Sequence, residues 1–155
     1  MCPPPPDASL EAIASAVVQA SWRIYRDVGP GLLESVYELL LATRLEERGL
    51  RVERQRALDL SYRGLTLPGA FRVDLLVDRR LVVEVKAAER MPAVAVRQTL
   101  TYLRLLNLPL GLIVNFGGAD FSGAVRRVVN NHNAVTGSPL RIHRPLPATD
   151  PDDKP

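Results

Sequence analysis

The stretch VDLLVDRRLVVEVKA, residues 73–87, decides the fold of this chain. Two apolar runs flank the charged segment DRR, and this pattern predicts a β-hairpin. Runs rich in valine and leucine are typical of strands buried in a sheet. Asp74, Glu84 and Lys86 nevertheless stand within these runs. The hairpin therefore carries charged side chains into a largely apolar sheet, which makes these three residues candidates for a functional site.

Lysine is rare in this protein, which makes Lys86 conspicuous. The chain has 20 basic residues, of which 18 are arginine, and the second lysine, Lys154, lies next to the C-terminus. On a strand, Glu84 and Lys86 project from one face of the sheet, whereas Val83 and Val85 project from the other. The valines are expected to pack in one core layer, which leaves the two charged residues together on the opposite side.

The length of the hairpin turn decides whether Asp74 joins them. A three-residue turn over residues 78–80 would set Asp74 opposite Glu84, with Cβ atoms about 4.5–5.5 Å apart. A two-residue turn would direct Asp74 to the other face unless a bulge corrected it. Two neighbouring carboxylates repel, and Mg²⁺ or Mn²⁺ would neutralise them, since such ions bind a few carboxylate oxygens plus water. The compact charge of Lys86 could then hold an attacking water or steady a developing negative charge.

A simpler interpretation of the same residues stays open at this point. Glu84 and Lys86 could form an ordinary charge pair on a solvated strand face, because short patterns of this kind occur by chance. The body of the chain is basic, however. Without the acidic residues and the lysine of the two tails, 19 basic and 13 acidic residues remain. This balance suits a polyanion such as nucleic acid, although it also suits a well-solvated surface.

The remaining periodicity predicts an α/β fold. A first helix should start after Ser9 as N-cap and break at DVGPGLLES, and a second should run to Gly49 as C-cap. Pro92 should open a third helix, and LGLIVNFG reads as a strand buried on both faces. The predicted order is a helix that starts at residue 10 and is broken by residues 27–35, a helix over 32–48, strands over 51–62, 69–77 and 80–87, a helix over 92–107, a strand over 110–117 and a last short strand or turn over 124–129.

Length and composition predict one soluble domain. The chain has 155 residues, of which 46% are hydrophobic and 24% charged, as is ordinary for globular proteins. We expect residues 1–8 to form a disordered proline-rich tail, residues 9–144 the folded domain and residues 145–155 a second disordered tail. No apolar run is long enough to cross a membrane, and the start MCPPPPDAS does not resemble a secretory signal. The single cysteine favours the cytoplasm.

Three further motifs, in a fixed order, carry a resemblance to a known family. GPGLLESVYE contains Gly31, Glu34 and Tyr37 in a G-x-x-E-x-x-Y pattern, QTLTYL separates Gln98 and Tyr102 by one helical turn, and GLIVNFG follows. Together with the hairpin, these motifs resemble the GxxExxY family of the PD-(D/E)XK nuclease superfamily over roughly residues 10 to 130. The chain departs from the family at two positions. Val73 stands where a proline often precedes the first acid, and Tyr25 stands where many relatives carry histidine.

The resemblance implies a three-layer α/β nuclease-like fold with a mixed sheet of four to five strands flanked by helices. It also implies metal-dependent hydrolysis of phosphodiester bonds in DNA or RNA. Asp74 and Glu84 correspond to the metal-binding carboxylates, Lys86 to the signature lysine, Glu34 to an added acid on a core helix, and Gln98 to a polar residue that completes such sites. A homodimer is a further expectation, because a small nuclease often needs a second subunit to grip a duplex.

Each of these roles has a structural alternative. Glu34 could simply face the dipole at a helix start. Gln98 and Tyr102 could pack against the sheet, and Tyr37 is expected to be a core aromatic residue with its hydroxyl bonded. The whole domain could also be a catalytically inactive module that binds nucleic acid or a protein. Cys2, His132 and His143 lack the spacing of a zinc site.

Overall fold

The computed structural model describes residues 9–130 of the chain. The predicted tails over residues 1–8 and 145–155, the end of the predicted domain and both histidines lie outside the described residues. Within them, no helix has the length and apolar character needed to cross a membrane. The elements, in chain order, are α1 (Leu10–Val28), α2 (Glu34–Glu46), β1 (Val52–Tyr62), β2 (Leu65–Val77), β3 (Leu81–Lys86), α3 (Ala93–Leu106), β4 (Leu110–Asn115) and β5 (Val125–Val129).

The five strands form one mixed sheet in the order β1-β2-β3-β4-β5. Neighbouring strands are antiparallel except β3 and β4, which are parallel and are joined through α3. One apolar core lies between the sheet and α1 with α2, and a second lies between the sheet and α3. The predicted three-layer α/β fold is therefore confirmed, and residues 125–129 form a strand rather than a turn.

The helices follow the sequence closely, except at the two ends of α2. Ser9 caps α1, its hydroxyl accepting a hydrogen bond from the Ala12 amide at 3.2 Å, and Gly29 ends the helix at φ 65°.

Helix α2 is shorter than predicted. Leu33 is still extended and serves as its N-cap, and Glu47 rather than Gly49 is its C-cap. Tyr37, Leu41 and Leu45 are buried and anchor the helix, whereas Val36 remains 39% exposed.

The hairpin between β2 and β3 has the three-residue turn that brings the acids together. Residues 78–80 form the turn, and Leu75 pairs with Val83 on the two strands. Counting outward by one residue on each strand puts Asp74 opposite Glu84. Side-chain hydrogen bonds between the strands then replace regular backbone pairing.

The alternation of side chains in β2 breaks at Asp74. Val73 packs in the core beneath α3, whereas Leu75, two residues later, packs in the core beneath α1 and α2. Residues two apart in a regular strand share a face, so the strand must rotate between them. The residue on β1 across from Asp74 is Gln55, whose φ of 51° is unusual for a non-glycine residue in a strand. Asp74 therefore lies where the side chains of β2 change from one face of the sheet to the other.

A candidate metal centre at the end of strand β3

Asp74 and Glu84 form a directly linked acid pair. The Asp74 amide donates to Glu84 Oε1 at 3.3 Å, and the Val85 amide donates to Asp74 Oδ2 at 2.9 Å. In a regular antiparallel ladder, an amide at the position of Val85 would bond to backbone across the strands. Here it bonds a carboxylate, so β2 separates from β3 where the two acids meet.

Burial and mutual repulsion disfavour two charges on this pair. Glu84 is only 3% exposed. Desolvation, followed by the negative charge of Asp74, raises the pKa of Glu84 to about 8, and the nearby charge of Lys86 offsets this only in part. Tyr102 lies close enough that burial and then these two acids raise its pKa to about 12. Its hydroxyl therefore stays protonated at neutral pH and can act as a hydrogen-bond donor.

Lys86 lies on the same face of β3 as Glu84, at the end of the strand. It pairs in register with Asn115 of the parallel strand β4. Its side chain is partly exposed and forms no hydrogen bond or ion pair within residues 9–130. A lysine held beside an acid pair without a fixed partner is free to contact a bound ligand.

Glu34 lies at the start of α2, over the segment that follows β3. Its Oε1 accepts a hydrogen bond from the Ala87 amide at 3.4 Å. Tyr37 fixes this helix start, because its hydroxyl donates to Gly29 O at 2.5 Å and accepts from the Leu32 amide at 3.1 Å. The Tyr37 ring, fully buried as expected, stacks on Phe116 with centroids 4.5 Å apart. The glycine-to-tyrosine motif thus acts as a clamp that directs Glu34 to the end of β3.

The donor set fits a divalent ion bound by two protein carboxylates. Across the part of the chain that the structure describes, no three Asp, Glu, His or Cys side chains converge into a full ligand set. Mg²⁺ does not require one, since it keeps several waters and commonly takes one or two carboxylates plus substrate phosphate. Asp74 and Glu84 match that demand, because a cation between them would remove the repulsion described above. A ligand role for Glu34 stays a prediction.

Two residues outside the predicted site connect to it. Gln55 Nε2 donates to Glu38 Oε2 at 2.7 Å and to Asp74 Oδ1 at 3.3 Å. Glu38 is 4% exposed, also bonds Arg54 at 3.2 Å, and has its pKa raised mainly by burial. Helical spacing from Glu34 could have indicated Glu38. Nothing in the sequence indicates Gln55, whose reach depends on its unusual backbone conformation.

Gln98 and Tyr102 differ in their surroundings. Gln98 is exposed and its side chain forms no hydrogen bond within the described residues, so its site role stays a prediction. Tyr102 is 8% exposed, and its ring meets Phe71 of β2 edge-on at 6.0 Å. Tyr102 therefore supports the strand that carries Asp74 while its hydroxyl lies near the acids.

A polar clamp holds the segment that leaves β3. Asn115 Oδ1 accepts from the amides of Ala88 and Gly117 at 3.0 and 3.1 Å, and its Nδ2 donates to Ala88 O at 2.9 Å. A Cβ atom on Gly117 would lie 2.4 Å from Ala88 O. Asparagine and glycine in the NFGG motif are therefore required by close packing of two backbones. The adjoining Gly118 carbonyl accepts from the Tyr25 hydroxyl at 2.8 Å, which gives Tyr25 a structural role in this loop.

Replacing Gly117 by alanine should destabilise the protein by about 3 kcal/mol, because the new methyl group collides with backbone that cannot move aside cheaply. Urea denaturation would measure the change. Gly118→Ala is the matched control, since its Cβ would come no closer than 3.2 Å to another heavy atom, and its effect should be markedly smaller. Equal stability of both variants and wild type would show that the segment after β3 is not held as described.

A cavity of about 310 Å³ between α1 and α2 is separate from the acid pair. Most of its charged lining is engaged. Arg44 pairs with Glu47 at 2.7 Å, and Arg48 donates to Ala16 O at 3.0 Å. Among the charged lining residues, only Arg23 makes no side-chain hydrogen bond or ion pair within the described residues.

Comparison with known proteins agrees with this geometry. A model of the PD-(D/E)XK nuclease superfamily matches residues 11–128, which is most of the chain. Searches of curated proteins and of solved structures found no match. The match covers the three helices and five strands except for Leu10 at the start of α1 and Val129 at the end of β5, and it includes the acid pair and Lys86. The chain belongs to the PD-(D/E)XK nuclease superfamily.

Proposed function

We propose that this protein is a metal-dependent nuclease of the GxxExxY family, which hydrolyses phosphodiester bonds in DNA or RNA with Mg²⁺ or Mn²⁺. One observation carries the proposal: Asp74 and Glu84 are joined across a split in the sheet, with Lys86 on the same face of β3. Superfamily membership supports nuclease chemistry. The G-x-x-E-x-x-Y clamp supports the narrower family.

The residues divide the chemical work among them. Asp74 and Glu84 would hold the ion, which when bound supplies Lewis-acid polarisation of a phosphate oxygen and a more acidic water. Lys86 would orient the attacking water and stabilise negative charge that develops on the phosphate. Glu34, bonded to the Ala87 amide, is placed to contact a ligand above the end of β3 through its second oxygen. Gln55 would keep Asp74 oriented toward the ion.

A second candidate function is binding without cleavage. The absence of a third converging acid within residues 9–130 favours it, because a domain that had lost catalysis would not need one. Such a module would bind nucleic acid or a protein regardless of divalent ions. Cleavage that requires Mg²⁺ and stops on chelation would exclude it.

Calorimetric titration with Mg²⁺ and Mn²⁺ tests the metal site directly. Wild type should bind one or two ions per chain, whereas Glu84→Gln should lose at least about 10-fold in affinity, because it removes a charged oxygen ligand. Glu46→Gln is the matched control, since Glu46 is an exposed acid on α2, and it should bind as wild type does. Cleavage of DNA and RNA substrates would be assayed on the same samples.

Two outcomes would count against the nuclease. Unchanged ion affinity in Glu84→Gln would show that the acid pair is not the metal site. Cleavage that continues after chelation would show that the reaction does not use a divalent metal ion. The homodimer and the cytoplasmic location stay predictions, and sedimentation with and without substrate would test the first of them.

A further inference from the structure

Strands β1 and β2 continue past the sheet as a two-stranded ribbon. Strand β2 pairs with β3 only at residues 75–77, whereas it pairs with β1 from Val77 down to Leu65. Residues 57–72 therefore form a hairpin arm about 20 Å long. The arm leaves the sheet at Asp74, so the acid pair lies in the fork between the arm and the end of β3.

The arm is anchored at its base and exposed at its tip. Leu58 is buried and Phe71 meets Tyr102, both against α3. Beyond them, Tyr62, Leu65 and Leu67 are 42%, 58% and 44% exposed. An anchored base with an exposed apolar and aromatic tip is suited to insertion into a partner.

The charges of the arm favour a polyanion as that partner. Residues 57–72 include two arginines, Arg63 and Arg72, and one acid, Asp59. The Asp59 carboxylate already accepts a hydrogen bond from the Gly69 amide, at 2.7 Å. Arg63 lies over the Tyr62 ring at 5.6 Å, and Arg72 is exposed and forms no ion pair among the described residues. Both guanidinium groups are thus available for phosphate, one at the tip of the arm and one on β2 two residues before Asp74.

We infer that the arm seats B-form duplex DNA by placing its tip in the major groove. This inference rests on the proposed nuclease function and names its substrate class. The major groove of B-DNA admits a two-stranded ribbon, whereas the major groove of an RNA duplex is too narrow for side chains to read. Arg72 holds the backbone phosphate next to the one at the acid pair, and Arg63 holds a phosphate at the edge of the groove that Tyr62 enters.

Fluorescence anisotropy in EDTA measures this binding without cleavage. The probes are a labelled DNA duplex, its single strand and an RNA duplex of the same sequence. Wild type should bind the DNA duplex most tightly. The double variant R63A/R72A should lose about 10-fold or more in duplex affinity, and its slope of log affinity against log salt should fall by about 2. Tyr62→Ala should weaken duplex binding with no change in that slope.

The matched control is R97A/R104A, which removes two exposed arginines from the outer side of α3 and should bind as wild type does. Equal losses in both double variants, or in neither, would overturn the inference. Preference for single strands or for RNA would also overturn it. A shift from dimer to monomer in the arm variants, with unchanged DNA affinity, would instead assign the arm to a second copy of the chain. If the arm is needed for duplex binding but no Mg²⁺-dependent cleavage is found, the proposed nuclease activity would be wrong and the inferred contact between the arm and DNA would stand.

Discussion

Replacing Lys86 by arginine should reduce phosphodiester cleavage by about 10³-fold while leaving divalent-ion affinity close to that of wild type. Arginine keeps the positive charge, so attraction to phosphate persists. Its planar group is larger, however, and cannot take the position of a compact ammonium beside a bound ion. Because the Lys86 side chain makes no hydrogen bond or ion pair within residues 9–130, the fold should tolerate the change.

Single-turnover cleavage at saturating enzyme would isolate the chemical step from binding. Lys86→Met serves as the companion variant, since it removes the charge and keeps an unbranched side chain. It should lose at least as much activity as Lys86→Arg. Arg90→Lys, an exchange of an exposed cation a few residues away, should leave the rate unchanged. Cleavage by Lys86→Arg within threefold of wild type would show that the lysine supplies charge alone and no specific position.

The centre of the site could be predicted because its geometry is local. A three-residue turn, one of the two lengths that the sequence allows, sets Asp74 opposite Glu84, and the alternation in β3 sets Lys86 beside Glu84. The clamp that presents Glu34 is likewise a short-range device, in which Tyr37 bonds Gly29 and Leu32 within the same motif. Short-range geometry of this kind is carried by residue spacing.

The surroundings of the acid pair could not be predicted, because they depend on contacts between distant segments. Gln55 reaches both Glu38 and Asp74 only because its own backbone adopts φ 51° and because α2 packs over β1. The Asn115 clamp joins the ends of the parallel strands β3 and β4, which are separated in the sequence by α3. Neither arrangement leaves a periodic signal. The same holds for the arm, whose existence follows from where β3 stops pairing.

The stability of the metal-free protein should fall as pH rises from about 5 to about 8. Burial and the charge of Asp74 raise the pKa of Glu84 to about 8, well above the 4.5 of an unperturbed glutamic acid. Between these values the unfolded chain releases the Glu84 proton while the folded chain retains it. The unfolded state then binds fewer protons, so the free energy of unfolding decreases with pH. The full effect is on the order of 4 kcal/mol.

Urea denaturation across this pH range, in EDTA, would measure the fall. Glu84→Gln carries no titrating group at this position and should lack most of the pH dependence. Glu38, whose pKa is also raised, contributes with the same sign in both proteins and cancels in the comparison. Parallel curves for wild type and Glu84→Gln would show that Glu84 does not hold its proton in the folded protein.

Adding Mg²⁺ should reverse the trend, because the ion binds the deprotonated carboxylate. Near pH 8, the pKa of Glu84, about half of the Glu84 side chains have already lost their proton, so the ion should raise the free energy of unfolding most there. Near pH 5 it must first displace the Glu84 proton, so its stabilising effect should be small. The proton and the metal thus compete for one place between Asp74 and Glu84. Equal stabilisation by Mg²⁺ at both pH values would mean that the ion binds elsewhere.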